Sequence, residues 1–98
     1  MAVYVTEHRL PKLYQRSVLH VPTMPPIATQ KLTNGGTAVQ SNTFDAATRM
    51  IGVHTDAIVS IKVGTNPTAT TSDKRMAANT TEYFIVEGGQ KISVINNV

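Results

Sequence analysis

The plainest pattern in the chain is alternation. In Ile58–Val63, Val59, Ile61 and Val63 fall on one side, Ser60 and Lys62 on the other. That is the period of a half-buried strand. Gln90–Ile95 repeats it, with Ile92 and Val94 opposed to Lys91, Ser93 and Ile95. Met1–Thr6, Ile27–Thr33, Thr37–Phe44, Thr48–Thr55, Lys74–Ala78 and Thr81–Val86 read as further short strands. Between them stand turn signals: Asn34-Gly35-Gly36, Asp45–Ala47, Thr55-Asp56-Ala57 and Glu87-Gly88-Gly89. Asn and Gly tolerate positive φ, so these segments predict tight reversals. Two hairpins are expected, over residues 49–63 and 81–96, and their local contacts should pair early.

Gly64–Asp73 (GTNPTATTSD) has no apolar residue larger than Ala. It is expected to be a surface loop with little part in a core. Short strands at spacings of about 8–12 residues point to an all-β fold, a small antiparallel β-sandwich or barrel, with a jelly-roll arrangement among the options.

Residues Glu7–Pro26 break the pattern. Pro11, Pro22, Pro25 and Pro26 cannot donate to a ladder, and each holds the residue before it extended. Leu10, Leu13, Tyr14 and Val18 would make one stripe on a helix, but the prolines leave room for only about two or three turns. Residues 1–26 are therefore expected to be an extended N-terminal arm, and residues 27–98 the sandwich domain. An arm holding Leu10, Leu13, Tyr14, Val18, Leu19 and Val21, with Ile27 at its end, needs a surface to lie on.

Charge sharpens this division. The net charge is +3. Arg9, Lys12, Arg16 and Lys31 against Glu7 place all of the excess in residues 1–31, and the rest of the chain is balanced. A basic arm favours an acidic partner. With 98 residues there is one domain's worth of chain. Threonine, valine and isoleucine are frequent, which suits pleated surfaces. There is no cysteine, so disulfides, thiolate metal sites and a cysteine nucleophile are excluded. No apolar run approaches the ~20 residues of a membrane helix, and MAVYVTEHRL has no signal-peptide core.

Candidate chemistry is sparse. His8, His20 and His54 lie at no metal-ligand spacing. Gly64 and Lys74 do not make a phosphate loop, and no serine sits in a nucleophile elbow. Catalysis, metal binding and cofactors are not expected. A basic aromatic cluster appears only where Lys12 and Arg16 flank Tyr14, which argues against nucleic acid as the partner.

Three runs carry a resemblance: Arg49–Thr70 (RMIGVHTDAIVSIKVGTNPTAT), Arg75–Phe84 (RMAANTTEYF) and Gly89–Ile95 (GQKISVI). Over residues 44–96 the chain resembles a family of small tailed-bacteriophage virion proteins. The resemblance implies a structural component of the particle. It would be a capsid decoration or cement protein binding the major capsid protein, a trimer without cofactor, located in the virion. A head–tail junction or tail accessory protein is the alternative. From the residues themselves, Arg9, Leu10, Lys12, Leu13, Tyr14, Arg16 and Val18 are the expected partner-binding positions. A reading of another class, a host-surface or glycan-binding module, would place its site at Gly64–Asp73. That loop has no aromatic platform.

Overall fold

The structure is a computed structural model, and it describes residues 2–9, 13–14, 17–18 and 26–97. The strands are β1 (Ala2–His8), β2 (Leu13–Tyr14), β3 (Ser17–Val18), β4 (Ala28–Thr33) and β5 (Val39–Gln40), then β6 (Met50–Thr55), β7 (Val59–Gly64), β8 (Lys74–Met76), β9 (Thr80–Ile85) and β10 (Lys91–Asn96). No helix occurs among the described residues. The all-β sandwich expected from the alternation is what forms.

Two four-stranded antiparallel sheets make the body. Sheet I has the order β4-β1-β6-β9 and sheet II the order β5-β10-β7-β8. Their inner faces meet in one apolar core. Sheet I contributes Val3, Val5, Leu32, Ile51 and Val53, and sheet II contributes Val59, Ile61, Met76, Ile92 and Val94. Phe44 and Val86 close the core from the connections. Nearly every wall is β-branched, which is what a pleated surface packs best.

Strand positions follow the sequence reading except that Thr37–Phe44 contributes only Val39–Gln40, β1 runs two residues beyond Thr6, and β2 and β3 lie where only an extended arm was expected. Strand partners do not follow it. Residues 49–63 are not a hairpin: β6 lies in sheet I and β7 in sheet II. Residues 81–96 are not a hairpin either, because β9 and β10 belong to different sheets. Nor do Asn34-Gly35-Gly36 join paired strands, since β4 and β5 are also in different sheets. These short segments are corners that carry the chain across the core. At 56–58, the Thr55 hydroxyl donates to the Ala57 carbonyl at 2.6 Å and accepts from its N–H at 3.2 Å. The physical reason is burial. A period-two pattern needs a cover for its apolar face, and the facing sheet supplies one where a flat hairpin cannot.

The first strand corrects the expected division of the chain. Ala2–His8 is an interior strand of sheet I, paired with β4 on one side and β6 on the other. Val3 and Val5 are core residues. The buried Glu7 carboxylate accepts from the Asp45 N–H at 2.8 Å and the Thr48 hydroxyl at 2.7 Å. Beyond β1, a connection over residues 9–27 returns the chain to the neighbouring strand β4. It is held at its base by the Ile27 N–H on the Glu7 carbonyl, 2.8 Å.

The strand order has a simple cyclic reading. From β4 onward the chain crosses between sheets at each connection except β7–β8, as in a jelly roll. The place next to the β4 edge, where a jelly roll sets its last strand, is taken by β1. The order is that of a permuted jelly roll. Both described ends of the body meet at one corner: the Ala2 carbonyl accepts from Asp56, and the Asn97 N–H donates to Ile58, each at 3.0 Å.

Candidate functional site

The two outer faces differ. On sheet II, Ser60 and Ser93 point away from the core and are nevertheless fully buried. Part of their cover is the segment 64–73. The Ala69 N–H donates to Ser93 Oγ at 2.9 Å, and Gln40 Nε2 donates to Asn66 Oδ1 at 3.0 Å. Asn97 Nδ2 donates to Ser60 Oγ at 2.7 Å. The expected surface loop is thus also a lid: Pro67 and Ala69 are buried, while its threonines stay exposed.

Sheet I carries a groove of about 450 Å³ on its outer face. Register builds it. Tyr4 on β1 stands opposite His54 on β6, which stands opposite Thr81 on β9. One row along, Thr6 faces Gly52, and Gly52 faces Tyr83. His8, Pro26 and Thr29 complete the lining. Among the described residues, no Asp, Glu, Lys or Arg lines the groove.

Gly52 shapes the floor. A Cβ there would come within 2.8 Å of Tyr83 Cε1, so the tyrosine ring lies over the bare backbone of β6. Tyr83 remains 55% exposed and Tyr4 36%. At the rim, the Lys31 ammonium sits 5.8 Å from the centre of the Tyr4 ring.

The two histidines are held differently. His54 Nδ1 is 2.8 Å from Thr81 Oγ1, and its Nε2 is 3.5 Å from Asp56 Oδ1. Hydroxyl, imidazole and carboxylate thus stand in a row, a grouping the residue spacing along the chain did not reveal because it joins β9, β6 and a corner. Solvent reaches both His54 and Asp56, so their pairing is weak. The Thr81 hydrogen bond is what positions the imidazole as a wall of the groove. His8 is 4% exposed, and its Nδ1 has no hydrogen-bond partner among the described residues. A buried ring nitrogen without a partner is costly in a native structure. No group of three or more His, Cys, Asp or Glu side chains able to hold a metal occurs among the described residues.

Of the positions expected to bind a partner, Arg9 is exposed just beyond β1. Leu13 pairs with Val18, and Tyr14 with Ser17, in a small ladder within the 9–27 connection. Leu10, Lys12 and Arg16 lie outside the described residues. Gly64–Asp73, the expected glycan loop, lies over sheet II and not beside the aromatic face.

Comparison with protein-family models, with curated proteins and with solved structures finds no match.

Proposed function

We propose that this chain is a structural protein of a bacteriophage particle, decorating or cementing the capsid by binding the major capsid protein. The observation that carries the reading is the connection between β1 and β4. These strands are antiparallel neighbours, which a two-residue turn can join. The chain instead uses residues 9–27. Connections longer than about 12–15 residues are uncommon and are usually functional or linker segments, and this one builds its own small β2–β3 ladder. This one holds Arg9, Lys12 and Arg16 with Leu10, Leu13, Tyr14 and Val18, a basic and apolar mixture suited to an acidic, partly apolar surface. Both its ends are tied into sheet I, so the attachment device stands on a rigid body. The resemblance over residues 44–96 points to the same setting. Association into a trimer would multiply the contacts per particle site.

The test replaces residues 10–25 by an Asn-Gly turn. The variant should fold and lose its occupancy on capsids. Undiminished occupancy would overturn the reading. Copy number per particle separates decoration from a head–tail junction, since a lattice site implies hundreds of copies. Light scattering of the free protein tests the trimer.

A further inference from the structure

We propose that the outer face of sheet I is a binding site for a neutral saccharide, independent of the capsid attachment. Its ligand chemistry is set by the residues that line it. Tyr83 lies along the floor over Gly52 and keeps more than half its surface open. An aromatic ring exposed on one face is a platform for the C–H face of a sugar ring. Tyr4 stands across the groove, tilted at 40° to His54 with ring centres 6.2 Å apart, so the second wall is also aromatic.

Between these rings the polar groups are hydroxyls and imidazoles. Thr6 and Thr81 supply hydroxyls from two strands of the sheet. A hydroxyl both donates and accepts, which matches a polyol group for group. Among the described residues no lining side chain carries a fixed charge, and the Lys31 ammonium stands at the rim over the Tyr4 ring, so an uncharged ligand fits the interior of the groove best. The cavity, at about 450 Å³, is within the size range of small-ligand sites.

His8 points most directly to a ligand. It lines the groove, is buried, and keeps an unpartnered Nδ1. His54 Nδ1 is engaged by Thr81, while its Nε2 stands 3.5 Å from Asp56. His8 adds a buried, unpartnered nitrogen to the hydroxyls of this face, beside the Tyr83 ring, 6.5 Å between centres. That nitrogen is closed to solvent in the free protein, so a sugar hydroxyl would reach it only with a turn of the His8 ring, and would then satisfy it while the sugar lies on Tyr83.

The test is a nuclear magnetic resonance titration of the full chain with glucose, galactose, N-acetylglucosamine, maltose and cellobiose. At least one should shift the amides of residues 4–8, 52–54 and 81–83, with affinity on the order of millimolar, as expected for one stacked ring and a few hydrogen bonds. Tyr83→Ala should weaken that binding about tenfold, the scale of a lost aromatic contact. His8→Phe keeps the burial and removes Nδ1, and should weaken it several-fold. Substituting Thr68 or Thr70 on the other face should leave it unchanged. The same titration on the variant with residues 10–25 replaced by a turn removes any competition from that segment. No shift on either protein would overturn the proposal. So would shifts confined to residues 64–73, unchanged affinity in a folded Tyr83→Ala variant, or binding of nucleosides in preference to every sugar.

Discussion

The outer faces of the two sheets begin from the same pattern and end differently. Both alternate apolar with polar residues, and both bury their apolar side in a shared core. On sheet II the polar side is sealed by the chain itself: small residues of the 64–73 segment descend onto Ser93, and Asn97 reaches Ser60. On sheet I the polar side holds two open tyrosines, two imidazoles and a floor of bare backbone at Gly52. Serines are small enough to be covered by a loop rich in Thr, Pro and Ala. Tyrosines standing across a groove are not. The contrast separates a face partly sealed by the chain from a face that stays open.

The shared core should show no such contrast. Ile51→Ala in sheet I and Ile92→Ala in sheet II should each lose roughly 2–5 kcal/mol, because both side chains are fully buried. Denaturant titration measures this. A large difference between them would mean that one sheet carries the fold alone. Glu7→Ala should come next, at about 2–3 kcal/mol, since it strips the Asp45 N–H and the buried Thr48 hydroxyl of their acceptor. Calorimetry would detect it, and a neutral result would show that β1 is not an integral strand.

Smaller effects distinguish the faces themselves. Ser93→Ala should cost about 1–2 kcal/mol by leaving the buried Ala69 N–H unpaired. Hydrogen exchange at Ala69 should then quicken. Tyr83→Ala and Asp56→Asn, on the open face, should each stay within about 0.5 kcal/mol. If Tyr83→Ala were as costly as Ser93→Ala, the open face would be structural and the contrast would fail.

Two glycines draw the same line at finer scale. At Gly88, a Cβ would meet the Ala46 backbone at 2.6 Å, and backbone cannot step aside cheaply. At Gly52 the obstacle is the far end of the Tyr83 ring, which can lift. The first glycine serves packing between two connections. The second serves the shape of the groove.

Much of the fold was legible along the chain. Val59, Ile61, Ile92 and Val94 announce their inner faces by alternation, and all four are in the core. The groove was not legible. Tyr4, His54 and Thr81 are far apart in sequence, and only the registers of β1 on β6 and β6 on β9 align them. His8 and Gly52 carry no local signal, because an unpartnered nitrogen and a ring resting on a glycine are facts of contact.

The sequence by itself determined the strand class, most strand positions, the core-facing residues and the concentration of basic charge before residue 32. Side-chain alternation and charge are local properties, and the peptide geometry of a strand converts them directly into faces. Only the tertiary structure decided which strands are neighbours. A turn such as Thr55-Asp56-Ala57 can join two strands of one sheet or carry the chain to the other, and the choice rests on which cover completes the core. That choice made β1 an interior strand, turned an expected arm into a connection held at both ends, and brought two tyrosines and two histidines onto one face.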